Sequence, residues 1–223
     1  MTATGPAEDQ FANYAAMHAY MAELVAGLRA DPGTGLLGDV IRRHDDEITD
    51  EELIGFGNLL LIAGHETTSN MIALGTLTLL RHPDQLAAVR DDEDVATPAI
   101  EELLRSLSIV TYLDRRATTG LEIAGHRIAE GSWLSLSVLA ANHDPALVGP
   151  DAGLDVRRKP VPHLAFGFGA QCLGQQLARI ELKAALPALL RRFPALRLAV
   201  PFEQLEFRTV SPIHGVASLP VTW

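Results

Sequence analysis

Cysteine is nearly missing from this 223-residue chain: a single one, Cys172, stands among 18 glycines and 13 prolines. One thiol forms no internal disulfide and cannot assemble a multi-thiolate zinc site, so any chemistry it has is performed singly. Basic charge is short as well. Eighteen Lys and Arg face 28 Asp and Glu, a formal charge of -10, which is the wrong sign for wrapping nucleic-acid phosphates. Met1 to Gln10 contain neither a basic stretch nor an apolar run, so nothing there marks the chain for secretion and a cytoplasmic location is expected. Internal repeats and low-complexity linkers are also lacking. What is plentiful is apolar material, 48% of residues, enough to bury a core and to exclude disorder as the whole answer.

Periodicity divides the chain into helices followed by short strands. Phe11, Tyr14, His18, Met21, Val25 and Leu28 recur at steps of three and four, one stripe of a helix that stops at Ala30-Asp31-Pro32-Gly33. A shorter apolar patch, Leu36, Leu37, Val40 and Ile41, precedes a charged break at Arg42 to Glu47. Thr49 and Glu52 then form an S/T-x-x-E box, which satisfies two orphan backbone N–H groups at a helix start. A long helix is predicted from Asp50 to Leu80, ending before Arg81-His82-Pro83 and spanning about 45 Å at 1.5 Å per residue. Its midpoint, His65-Glu66-Thr67-Thr68-Ser69-Asn70, is polar, which argues against a membrane span. An apolar helix of this length is ordinarily the buried axle of a large domain, so the patch must face a cavity, water or a ligand.

Pro83 and Thr97-Pro98 each suit the first turn of a further helix. The period then falls to two, with Leu121 and Ile123 before the Gly125 turn and Leu134, Leu136 and Val138 after it, as in short strands. Ala141 to Pro162, thick in Asp, Gly, Pro and Arg, reads as a meandering loop. A last helix follows through Leu177, Ala178, Ile180, Leu182 and Ala185 to about Phe193, before a tail ending Leu219-Pro220-Val221-Thr222-Trp223. The fold class is mainly α with small β-sheets (α+β), in one domain whose parts are residues 1–82, 83–140 and 141–223.

Three constellations carry chemistry. In Phe166-Gly167-Phe168-Gly169-Ala170-Gln171-Cys172-Leu173-Gly174 the cysteine stands just ahead of a helix start. There the helix dipole and closely approaching backbone N–H groups favour the thiolate. An arbitrary lone cysteine is more often a small buried hydrophobe, but the glycine framing reverses that preference. In Ala63-Gly64-His65-Glu66-Thr67-Thr68 an acid beside a hydroxyl, next to a glycine that weakens the helical ladder, offers a water-holding groove and a proton route. A threonine there could equally bond back to a carbonyl one turn earlier. The zinc pattern H-E-x-x-H fails because position 69 is serine. Third, Glu102 and Arg105 lie three apart on one helical face, a common pair that means little if exposed.

Taken in this order, the three signals resemble the cytochrome P450 family of haem-thiolate monooxygenases in its soluble bacterial form. The resemblance identifies Ala63 to Thr68 with the oxygen-activating motif and makes Glu66 and Thr67 the catalytic proton carriers. It makes Glu102 and Arg105 the E-x-x-R pair, with Arg158 as third member of a structural ion-pair network. It places Arg115 and His163 beside the haem propionates, Phe166, Gly169 and Gly174 around the cofactor, and Cys172 on the iron of haem b. Ala141-Asn142-His143-Asp144-Pro145, Leu177-Ala178-Arg179-Ile180-Glu181 and the closing residues resemble family members too. The implied activity inserts one oxygen atom of O2 into a small organic substrate, the thiolate favouring O–O cleavage. Electrons would come from a ferredoxin-type or other redox partner, because no flavin or nicotinamide fingerprint is found in the chain.

Two departures accompany the match. The chain resembles only the C-terminal, haem-binding half of the family fold, with the N-terminal helices absent, so the pocket roof is expected to be open. Such a severed core would leave an apolar patch on the long helix that invites self-association or a partner. The family pattern F-G-x-G-x-H-x-C has six residues between Phe and Cys, whereas Phe166 and Cys172 are separated by five and the basic residue is gone. The alternative function is therefore a truncated, non-catalytic remnant that binds haem weakly or serves only as a helical interaction module.

Overall fold

The computed structural model describes residues 7–150, 152–168, 172–208, 211 and 213–223. They cluster into two compact units, divided between Glu66 and Thr67. No helix among the described residues is long and apolar enough to cross a membrane.

The first unit contains helix α1 (Ala7–Ala30), helix α2 (Leu36–His44) and the N-terminal half of helix α3 (Asp50–Leu80). The capping box that predicts the start of α3 is formed: Thr49 N donates to Glu52 Oε2 at 2.9 Å, and Glu52 N donates to Thr49 Oγ1 at 3.3 Å. Hydrogen bonds from the Thr49 backbone and hydroxyl hold the Glu52 carboxyl below its ordinary range. Met21 and Val25 of the predicted α1 stripe are buried with Ile41, Leu53 and Ile54. A side chain at Gly57 would press on the Met21 thioether, so glycine permits this close approach. The other end of the stripe is uncovered, with Phe11 76% and Tyr14 56% exposed.

The second unit packs the rest of α3 with α4 (Pro83–Asp91), α5 (Ala96–Leu107) and α8 (Gln175–Arg192). Leu74, Leu77 and Leu79 of α3 share one buried cluster with Ile100 and Leu103 of α5 and Leu182, Leu186 and Leu190 of α8. Those three α8 leucines recur every four residues, the spacing of a single helical stripe. An added Cβ at Gly75 would come within 3.2 Å of Leu186, which shows how closely α3 and α8 approach.

The strands are short and antiparallel. β1 (Tyr112–Arg116) pairs with β4 (Trp133–Ser137), β2 (Leu121–Ile123) with β3 (His126–Ile128), and β5 (Arg197–Leu198) with β6 (Val221–Thr222). Two details differ from the sequence reading. Val138 opens helix α6 (Val138–Asn142) instead of closing β4, because Ser137 Oγ caps it by accepting from Ala140 N. The predicted loop, Ala141 to Pro162, also takes in the end of α6 and then α7 (Pro145–Val148), started by Asp144 Oδ1 accepting from Ala146 N at 2.8 Å. From Ala152 to Pro162 the chain is irregular, as read.

Candidate functional site

Helix α5 turns Glu102 and Arg105 into the protein interior. Arg105 and Glu102 are 1% and 3% exposed, which requires close pairing for both charges. Arg105 Nε and Nη2 donate to the two oxygens of Glu102 at 2.8 and 2.7 Å, a bidentate fork. The remaining donors reach backbone carbonyls, Nη1 to Asn142 at 2.7 Å and Nη2 also to Ala152 at 3.2 Å. Arg158 joins from the irregular segment, its Nε 3.3 Å from both Glu102 oxygens. Nη2 of Arg158 donates to Gly153 O at 2.9 Å, and Asp155 N donates to Glu102 at 3.1 Å. The structure thus brings Glu102, Arg105 and Arg158 together around one buried carboxylate.

This network is linked to the cysteine loop through a residue the sequence did not single out for a role. Asn142 is fully buried. Its Nδ2 donates to Ser108 Oγ at 2.9 Å, and its Oδ1 accepts from Leu164 N at 2.7 Å. Ser108, in turn, donates from Oγ to Arg105 O at 2.7 Å and closes α5 in the left-handed conformation, φ 41°. The only available signal was the tract Ala141 to Pro145, which carries no local rule for burial.

Leu164 begins the approach to the cysteine. Phe166 packs against the main core and lies beneath the Arg179 guanidinium, 4.6 Å from the ring centre. Gly167 has φ +81°, a conformation open to glycine and strained for other residues, and turns the chain towards Phe168. Gly169, Ala170 and Gln171 lie outside the described residues. Cys172 is exposed, and its carbonyl accepts from Gln175 N at 3.2 Å. Gly174 is the N-cap of α8, where a Cβ would lie 3.9 Å from Cys172 Sγ. The sulfur therefore lies close to the start of an 18-residue helix. Phe168, Leu173 and Leu177 nearby are exposed despite their apolarity.

Of the other expected site residues, Arg115, Glu66 and Thr67 sit apart from this loop in sequence, while His163 belongs to its N-terminal stem. Arg115 is exposed on β1 and donates from Nη1 to Asp114 O at 2.8 Å. His163, expected beside a propionate, has both ring nitrogens engaged by the protein: Nε2 is 3.0 Å from Glu101 Oε2, and Nδ1 accepts from Ala165 N at 3.3 Å. Glu66 and Thr67 are consecutive, half-buried residues of α3, following the exposed run Ala63, Gly64 and His65. A Cβ at Gly64 would meet nothing within 4 Å, so the backbone there is open to a close neighbour.

The donor set decides what could be held here. No group of three His, Cys, Asp or Glu among the described residues could hold a metal ion. One exposed thiol with no companion ligand fits a metal whose remaining positions are filled by a macrocycle, and the exposed apolar side chains beside it fit the flat face of such a group.

A helical fold with an exposed cysteine at a helix start and a buried Glu-Arg-Arg network is a recognisable class, and comparison with known proteins specifies it. Residues 36–206 match the family Cytochrome P450. Over 92% of its length the chain is 45% identical to Cytochrome P450 165B3 of Amycolatopsis orientalis, covering 52% of that protein. It is 47% identical to a vitamin D3 dihydroxylase of Streptomyces griseolus, again over 92% of this chain and 51% of the relative. Among solved structures, cytochrome P450 MoxA from Nonomuraea recticatena superposes with a TM-score of 0.91 at 44% identity, covering 99% of this chain and 56% of that one. The chain belongs to the cytochrome P450 family. It spans about half the length of the curated relatives it matches, and the family implies a haem cofactor.

Proposed function

We propose that this chain is the C-terminal, haem-binding part of a haem-thiolate monooxygenase, a single domain that inserts one oxygen atom of O2 into a small organic substrate. The observation that carries the reading is the sole thiol, exposed at the N-terminus of α8 with no competing metal ligands among the described residues. Haem b, when bound, supplies oxygen binding and O–O cleavage, chemistry that no side chain provides.

The chain's own residues then take distinct parts. Cys172 donates its thiolate to the iron. Phe166, Gly169 and Gly174 shape the loop that carries it. Arg115, exposed on β1, pairs with a propionate, while His163 acts on the haem edge through the loop it braces. Glu66 and Thr67 hold and relay protons beside the open backbone at Gly64. Glu102, Arg105 and Arg158 fix the irregular segment beneath the cysteine loop. Electrons arrive from a separate ferredoxin-type or other redox protein in the cytoplasm. That the S. griseolus relative is named a dihydroxylase supports hydroxylation as the reaction type.

A second reading has its own observation. Leu59, Leu61 and Ile62 on α3 are each about half exposed, as expected of a non-catalytic remnant that docks another chain or a second copy of itself. Reduction under carbon monoxide separates the two. The monooxygenase reading requires a red-shifted, thiolate-type Soret band in the haem-loaded chain; an unshifted band, or no uptake of haem, supports the remnant.

A further inference from the structure

Glu101 has no part in the reading above, although it adjoins Glu102. Its carboxylate gathers partners from two other segments. Oε1 accepts from Arg179 Nε at 2.7 Å, while Oε2 accepts from Arg179 Nη2 at 3.1 Å and lies 3.0 Å from His163 Nε2. Because His163 Nδ1 accepts the Ala165 N–H, its proton resides on Nε2 and points at Glu101. The side chains of His163, Glu101 and Arg179 are only 4%, 17% and 21% exposed. Arg179 is itself fixed, with Nη1 donating to Gln175 Oε1 at 3.1 Å and its guanidinium lying over the Phe166 ring.

These contacts flank the cysteine on both sides. His163 and Phe166 precede it, Gln175 and Arg179 belong to the first turns of α8 after it, and Glu101 on α5 joins the two. The loop between Phe166 and Gln175 is thus closed at its base by one carboxylate. A bidentate guanidinium pair and a directed imidazole N–H fix distance and orientation together, which a lone surface ion pair would not do.

We propose that Glu101 is a positioning residue for the thiolate: it clamps the two stems of the cysteine loop so that Cys172 is presented at the start of α8 in one geometry. The proposal rests on the reading of Cys172 as the iron ligand for its functional meaning, but the clamp is testable without haem. The groups facing Glu101 are His163 from the loop stem and Arg179 and Gln175 from α8, with Asp144 lining the same cleft. Among the described residues, no second carboxylate hydrogen-bonds His163 or Arg179.

The test is amide hydrogen exchange on the haem-free chain, comparing wild type with Glu101→Gln and Glu101→Asp. We expect Glu101→Gln to exchange at least ten-fold faster over residues 163–168 and 172–179, with β5, β6 and the α3 core unchanged and Glu101→Asp partly restored. Unchanged exchange, or a uniform rise across the chain, overturns the proposal. If Glu101→Gln does not fold, Arg179→Lys retains the cation, removes the fork, and is expected to show the same local effect. In the haem-loaded chain, Glu101→Gln is expected to convert part of the thiolate-type carbon monoxide band to the unshifted form. Failure of every variant, wild type included, to load haem would overturn the monooxygenase reading while the exchange result still decides the clamp.

Discussion

Two adjacent glutamates on α5 experience different surroundings and have different consequences. Glu102 and Arg105 are both buried, so removing either leaves an uncompensated charge in the core. Glu102→Ala is expected to cost about 3–5 kcal/mol, read from urea unfolding; a loss below about 1 kcal/mol would contradict the buried network. Glu101 behaves differently with pH. Burial pushes its carboxyl up, but hydrogen bonds from His163 and Arg179 and the charge of Arg179 outweigh this and bring it down to about 2. A carboxyl depressed in the folded state stabilises the protein above its ordinary value near 4.5 and ceases to do so as pH falls towards about 2. The gap in thermal midpoint between wild type and Glu101→Gln is therefore expected to be full at neutral pH and to close below about pH 4.5. A gap independent of pH across that range would contradict the assignment. The spacing of Glu102 and Arg105 could be read from sequence because helical neighbours follow from local geometry. Glu101–His163 and Asn142–Leu164 could not, since their partners lie 62 and 22 positions away and only the fold brings them together.

Helices were legible where pattern and punctuation agreed. The bounds of α3 follow from the Thr49–Glu52 box at one end and His82-Pro83 at the other, both local signals that packing does not override. Strands were less so. β1 contains Asp114, Arg115 and Arg116 and has no alternating burial, so no period-two signal marks it; its partner β4 defines it. The α1 stripe is periodic in sequence, yet only its C-terminal half is covered, and periodicity alone cannot tell which part of an apolar face finds a partner. Where α8 meets α3 and α5, packing is tight: Leu186 is fully buried and close to Gly75 and Leu103. Leu186→Ala is expected to cost about 2–5 kcal/mol in chemical denaturation, and a near-neutral effect would show that this contact is not part of the core.

For the molecule as a whole, the family relationship and the half-length span must be considered together. The short motifs that carry the family resemblance are present, while Phe11, Tyr14, Leu59, Leu61 and Ile62 expose apolar surface that a monomer ordinarily covers. Concentration-dependent self-association is therefore expected in sedimentation experiments, reduced by Leu61→Glu with Ile62→Glu; a monodisperse monomer at all concentrations would contradict it. The family motifs were legible because each is a short string with a fixed order, whereas the five-residue spacing between Phe166 and Cys172 includes residues outside those described. Whether that spacing delivers sulfur to iron is decided most directly by X-ray absorption at the iron edge of the haem-loaded chain. One sulfur scatterer that disappears in Cys172→Ser is expected. An iron shell made of nitrogen and oxygen alone in the wild-type protein would contradict it.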